Sequence, residues 1–234
     1  MSGRCIGIVS AVPDEIAGLV RRWESLSVQD GVHAWCTERG GLTLVAVCGG
    51  MGSSAATRAF ARLLVLCKPV KVYSVGWAGS LSDSLKAGSI CTPSTVLDSR
   101  TGERYMVTVV DVVAQVAITT ERVADREAKR RFANAYDGAA LVEMEAATVA
   151  RLAQAHGIEF GCVKAISDEY DEMLPDLNAY IDERGRFHVV RFALWAAVRP
   201  WMWSMLVRFG KNARLAAANL CTALEKEFET EAGL

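Results

Sequence analysis

The chain has 234 residues and a mass of 25.3 kDa, with 51% hydrophobic residues, 23% charged residues and a formal net charge of −1. That is enough apolar chain for a large core, and it excludes an acidic disordered protein. The balanced charge excludes a basic nucleic-acid binder. Seven cysteines are scattered, odd in number and without a CxxC pair. They read as reduced, buried thiols of a cytoplasmic protein rather than a disulfide or zinc framework. The N-terminus lacks the long apolar segment of a signal peptide.

In chain order, Arg4–Ser10 is a buried strand, and Pro13–Trp23 a helix with Pro at its first turn and Asp14 and Glu15 at the positive end of its dipole. Val32–Thr37 and Leu42–Cys48 form a predicted hairpin. Gly49-Gly50-Met51-Gly52 ends that strand, and a helix capped by Ser53 or Ser54 runs to about Cys67. Val70–Val75 is a strand closed by Gly76-Trp77-Ala78-Gly79, and 80–88 is a loop. Strands are predicted near Ser89–Val96, Tyr105–Val110 and Gln115–Thr119, then a charged helix at Ala124–Asn134. A strand at Ala139–Val142, a helix at Glu145–His156 and an apolar strand at Phe160–Ile166 follow, and the last 50 or so residues read as helical. No linker or repeat interrupts the chain. The expected fold is α/β: one domain over 1–234, a three-layer αβα sandwich with a mixed, largely parallel central sheet.

In such folds the site lies beyond the carboxyl ends of the strands. Glu15, Glu145 and Asp168 fall at such ends, as do the glycine turns at 49–52 and 76–79. Any one of these acids is more simply a helix cap. The functional case rests on all five features sharing one sheet edge.

The segments IGIVSAVPDEI (6–16), VCGGMGSSAA (47–56), SVGWAGSL (74–81), LVEMEAATVARLAQAHGI (141–158) and VKAISDEYD (163–171) resemble the nucleoside phosphorylase/nucleosidase superfamily. Within it they are closest to the 5′-methylthioadenosine/S-adenosylhomocysteine nucleosidases. The resemblance covers residues 4–172, and VEMEAA followed by ISD about twenty residues later is its specific part. It implies that Asp168 is the general acid at purine N7, oriented by Ser167, which asks for a partly buried carboxyl group that keeps a proton. It implies that Glu145 accepts hydrogen bonds from the ribose hydroxyls, that Met144 packs on the ribose and that Glu15 activates the attacking water. Glu143, Gly50, Met51, Gly76, Trp77, Ala78 and Val123 complete the implied substrate-binding set. No metal or organic cofactor is implied; phosphate would enter only as a phosphorylase's co-substrate.

Two positions depart from the family pattern. Trp77 stands where the family usually has Ser, and Ser74 where phosphorylases use an Arg for phosphate. This favours water as nucleophile, with Arg21 or Arg22 left as other anion contacts against their simpler reading as a solvated helix face. Near 119–124, Arg122 or Val123 replaces the nucleosidases' adenine-stacking aromatic residue.

The C-terminal helical segment, about 187–230, opens with FHVVRFALWAAVRPWMWSMLVRF (187–209). Tryptophans interspersed with arginines suit a core or dimer helix, or a peripheral membrane contact. The runs 167–187 and 193–201 are similar to hopanoid-associated members of the superfamily, which remove adenine from adenosylhopane. The expected activity is hydrolytic release of a purine from a 5′-modified adenine nucleoside by a cytoplasmic homo-oligomer, dimeric in the first instance, with membrane association as the alternative location. The alternatives are a phosphorylase acting on lipid-linked adenosine and a nucleoside-binding protein without chemistry.

Overall fold

The computed structural model describes residues 4–108 and 113–233. Among the described residues, eleven strands form one sheet: β1 (Arg4–Ser10), β2 (Glu24–Gln29), β3 (Val32–Arg39), β4 (Leu42–Cys48), β5 (Pro69–Ser80), β6 (Ile90–Cys91), β7 (Pro93–Asp98), β8 (Arg104–Met106), β9 (Val113–Thr119), β10 (Ala139–Glu143) and β11 (Glu159–Asp168). Its main path runs β2-β3-β4-β1-β5-β10-β9-β7-β8, with β11 paired to β5 and β6. β1 (Arg4–Ser10) lies parallel between β4 (Leu42–Cys48) and β5 (Pro69–Ser80). Its run Cys5 to Ser10 is buried, as expected of a strand covered on both faces. β11 (Glu159–Asp168) is parallel to β5, whereas β10 (Ala139–Glu143) meets the end of β5 antiparallel, Val142 opposite Gly79. The order therefore branches at the carboxyl end of β5, and an open α/β sheet leaves its crevice at such a branch.

Helices cover both faces. On one face α2 (Ser53–Leu66) and α4 (Ala146–Ala155) bury Ala55, Ala59, Phe60, Leu63 and Val149. On the other, α1 (Pro13–Val20) buries Ile16 and Leu19 against Leu220, Leu224 and Phe228 of the 30-residue α6 (Trp203–Ala232). The buried positions Ala213, Ala216, Leu220, Leu224 and Phe228 repeat at three- and four-residue steps, one stripe of that helix. α3 (Arg126–Ala135) is capped by Asp125, whose carboxylate accepts from the Ala128 N–H at 2.8 Å, and it buries only Lys129.

Several expectations need correction. β2 (Glu24–Gln29, ESLSVQ) lies where the sequence pattern predicts no element, because an almost fully exposed edge strand has no apolar face to declare it. β5 continues through Gly76–Gly79 instead of turning there. The strand expected at Ser89–Val96 is two, β6 (Ile90–Cys91) and β7 (Pro93–Asp98), with β7 antiparallel to β8 (Arg104–Met106) and parallel to β9 (Val113–Thr119). Positions 109 and 110 of the strand expected near Tyr105–Val110 lie outside the described residues. α1 ends at Val20, short of Trp23. The C-terminal region breaks into α5 (Val189–Ala197), a short 3-10 turn (Pro200–Met202) and α6. All seven cysteines are free thiols, five of them buried.

Candidate active site

A cavity of about 480 Å³ opens at the carboxyl ends of β1, β4, β5, β10 and β11. Glu15, Glu145, Asp168, Met144, Ser167, Glu143, Gly50, Met51, Trp77, Ala78 and Val123 all line it, so the structure gathers nearly all the residues singled out above. Gly76 lies beneath, against Glu15.

Glu15 is 4% exposed, in the first turn of α1. Its Oε2 accepts from Ser10 Oγ at 2.5 Å and from the N–H groups of Ala11 at 2.9 Å and Val12 at 3.1 Å; its Oε1 accepts from the Trp77 N–H at 2.9 Å. Every partner is a donor, so the side chain is held as an acceptor while it caps its own helix. Gly76 makes this approach possible. Its φ is +135°, and a Cβ there would lie 2.6 Å from Glu15 Oε1.

Asp168, the last residue of β11, lies opposite β5 three residues beyond Gly76, where a Cβ on Gly79 would meet its Oδ2 at 2.8 Å. Ser167 Oγ is 2.7 Å from Asp168 Oδ1 and donates to it. The Lys129 ammonium, 1% exposed, forms an ion pair with Asp168 Oδ2 and also donates to the Glu169 carbonyl at 2.8 Å. Lys129, which is not among the residues singled out from the sequence, is thus set against the Asp168 carboxyl group. Lys129 was missed because α3 reads as a charged helix, although Lys129 shares a face with Phe132, Ala133 and Tyr136 at i+3, i+4 and i+7.

Glu145 precedes α4, and its Oε1 accepts from the Gly52 N–H at 2.7 Å. Burial pushes its pKa up to about 8; Glu143 and Glu15 add to the rise, while Lys164 and the Gly52 N–H oppose it. Glu143 is fully engaged by protein. Its Oε1 accepts from Thr119 Oγ1 at 2.5 Å, and its Oε2 from the N–H groups of Glu145 at 3.0 Å and Ala146 at 2.8 Å. Lys164 Nζ lies 2.9 Å from the same Oε2, and both side chains are wholly buried. Burial alone would lower the Lys164 pKa, but Glu143 and its other neighbours hold it above the ordinary lysine range. Glu143 therefore fixes the backbone that presents Glu145.

Trp77 does not plug the space between Glu15 and Asp168. It lines the cavity there, packs against the α1/α6 core and also borders a second cavity with Asp14, Gly18, Arg214 and Cys221. Arg21 and Arg22 are exposed and line neither cavity, and Ser74 is fully buried. The basic side chains on the main cavity wall are Arg122, Lys129 and Arg186, together with His33.

The 172–192 segment forms the outer wall, which sequence reasoning did not assign. Asn178 Oδ1 accepts from the Val123 N–H at 2.8 Å, and its Nδ2 donates to the Val123 carbonyl at 3.0 Å. The Met51 N–H donates to the Gly185 carbonyl at 2.8 Å, so the segment also closes over the 49–52 turn. Leu174, Leu177, Phe187, Val189, Phe192 and Phe209 make this wall apolar.

A mixed sheet between two helical layers, with buried acids at its carboxyl edge, defines an α/β protein of the nucleoside phosphorylase kind. The chain belongs to the phosphorylase superfamily, whose family model matches residues 5–113 and 103–189. Among solved structures it is similar in fold to the Helicobacter pylori 5′-methylthioadenosine/S-adenosylhomocysteine nucleosidase, with a TM-score of 0.75 at 15% identity over 98% of this chain and 100% of that one. The Colwellia psychrerythraea nucleosidase of the same kind, in complex with adenine, gives 0.70 at 20% identity over 93% and 91%. The futalosine hydrolase of Helicobacter pylori gives 0.74 at 15% identity over 97% and 98%.

Proposed function

We propose that this protein hydrolyses the N-glycosidic bond of a purine nucleoside, a 5′-modified adenine nucleoside first among the candidates, and releases the free base. The observation that carries this reading is the pair of buried carboxylates, Glu15 against Gly76 and Asp168 against Gly79, on one cavity wall. Three residues of strand separate their contacts, roughly 10 Å at the rise of an extended chain. That leaves room for a water, a ribose and the first atoms of a base. The named proteins of similar fold, two methylthioadenosine/adenosylhomocysteine nucleosidases and a futalosine hydrolase, support the substrate class.

Cleavage needs a proton on the leaving base, stabilisation of an oxocarbenium-like sugar and a nucleophile on the opposite face. The Asp168–Lys129 pair supplies a proton to N7 of the purine as the C1′–N9 bond breaks. Glu145, once ionised, accepts from the ribose hydroxyls and stabilises the positive sugar. Glu15 Oε1 has one protein donor and takes the proton of a water as its oxygen bonds to C1′. A phosphate at that position would face the Glu15 carboxylate, so water is the favoured nucleophile.

A second reading, a lipid-linked adenosine as substrate, draws on the apolar outer wall at Leu174, Phe187, Val189, Phe192 and Phe209.

Chromatographic assay of methylthioadenosine, adenosylhomocysteine, adenosine and inosine, each with and without phosphate, tests the proposal. Base release without phosphate is expected, with Asp168→Asn slower by about a hundredfold or more and still able to bind purine. A strict phosphate requirement would make the protein a phosphorylase. No release from any substrate, with ligand bound equally by wild type and variant, would make it a binding protein.

A further inference from the structure

The face formed by α5, the turn after it and the start of α6 has no role in the reaction above. No α5 residue is buried. Val190, Leu194 and Val198 recur at four-residue spacing and are 74%, 68% and 69% exposed, and Trp201 follows at 73%. Trp203 and Val207 continue the exposed apolar surface. The inner side of α5 is anchored. Phe192 packs on Tyr180 and Phe187, and Trp195 on Tyr180 and Phe192, with ring centroids 5.2–6.0 Å apart, and Trp203 Nε1 donates to the Ala196 carbonyl at 2.9 Å. The apolar row is thus presented outward by a fixed helix.

Charge is segregated onto the same stretch. Residues 184–224 contain seven Arg or Lys and no Asp or Glu, in a chain whose net charge is −1. Arg186 pairs with Asp182 at 2.9 Å and Arg208 with Glu172 at 3.1 Å, and the other five, Arg184, Arg191, Arg199, Lys211 and Arg214, carry the segregated charge. Arg199 lies over the Trp195 ring at 4.6 Å and Arg191 over Tyr180 at 5.6 Å, so the cations rim the apolar row. No helix among the described residues is long and apolar enough to cross a membrane.

We propose that this face docks on an anionic phospholipid surface. Exposed aliphatic and indole side chains enter the interface between headgroups and acyl chains, while the arginines and lysine meet the headgroups. A second copy of the chain is the poorer occupant. A two-fold contact would set this patch against itself and bring its cations face to face, while the flanking acids Asp182 and Glu172 are already paired with Arg186 and Arg208 of their own chain. Val189, Phe192 and Phe209 line the cavity as well, so docking would bring the mouth of the site to the bilayer. The proposal stands on this face alone and is tested apart from catalysis.

The test is flotation of the full chain with vesicles of phosphatidylcholine alone and of equal parts phosphatidylcholine and phosphatidylglycerol. The variant is Val190→Ser/Leu194→Ser/Trp201→Ser, three exposed positions outside the catalytic set. Wild type is expected to float with the anionic vesicles, much less with the neutral ones, and to be released by high salt. The variant is expected to lose flotation while keeping wild-type helical circular dichroism and nucleoside turnover. Failure of wild type to float with either vesicle overturns the proposal, as does equal binding to both. So does a wild-type oligomer in gel filtration that the variant reduces to a smaller species, because the face would then be a subunit contact.

Discussion

Lys129 directs its ammonium at three acceptors: Asp168 Oδ2, the Glu169 carbonyl at 2.8 Å and the Asp168 carbonyl at 3.4 Å. Lys129→Met would leave a buried carboxylate without its cation. Breaking a buried pair in this way costs about 3 kcal/mol or more. Urea unfolding should show a lower midpoint at unchanged slope, and the double variant with Asp168→Asn should recover part of the loss. If the two single losses simply add, the pair is not coupled. Glu145 makes a pH-dependent case. Its folded pKa of about 8 lies above the ordinary 4.5, so its contribution to stability is full below the ordinary value and is lost as pH rises through about 8. Glu145→Gln should therefore gain in melting temperature relative to wild type as the buffer goes from mildly acid to mildly alkaline. Its kcat/KM should also lose the rise that wild type shows on approaching pH 8, since only ionised Glu145 accepts from two ribose hydroxyls. Each of the three acids stands within a few residues of a strand end, which made them legible in sequence. Lys129 lies inside REAKRRFANA, where the density of charge hides the stripe it shares with Phe132, Ala133 and Tyr136, the face that sets it apart from Arg130 and Arg131.

Among the elements, β5 organises the site. It receives β1, β11 and β10, donates the Trp77 N–H to Glu15 and opposes Asp168 with Gly79. Its length was hidden because Gly76 and Gly79 punctuate it like a turn, whereas they serve close approach by two carboxylates. Gly76→Ala would press a methyl group onto Glu15 in a backbone conformation that L residues rarely adopt, and should reduce both activity and thermal stability. The far end of α6 ties back to β5. Lys71 Nζ pairs with Glu231 at 2.5 Å, and Tyr73 Oη donates to Glu227 at 2.7 Å and to Glu231 at 3.0 Å. Burial alone would raise the Glu231 pKa, but Lys71, Tyr73 and Arg4 hold it below the ordinary value. Stability from this contact is present above that ordinary value and is lost as pH falls through the lowered one. Glu231→Gln should accordingly cost most at neutral pH and least in acid, as read by the difference in melting temperature across pH. An equal cost at every pH would show that charge at this position contributes nothing.

For the whole molecule, alternating strands and helices were enough to expect a mixed sheet between two helical layers. The branch at β5 explains why acids remote in sequence meet in one cavity. The 172–192 wall was not legible, because its ties to Val123, through the Asn178 side chain, and to Met51, through the Gly185 carbonyl, are long-range bonds that leave no periodic trace. The central claim is water-dependent cleavage with Glu15 as the base. It is tested most directly by following free adenine from 5′-methylthioadenosine in phosphate-free buffer, wild type against Glu15→Gln. The expected result is steady release by wild type and a loss of about a hundredfold or more in the variant, with substrate still bound. Release that begins only when phosphate is added, or that survives in Glu15→Gln, would contradict it.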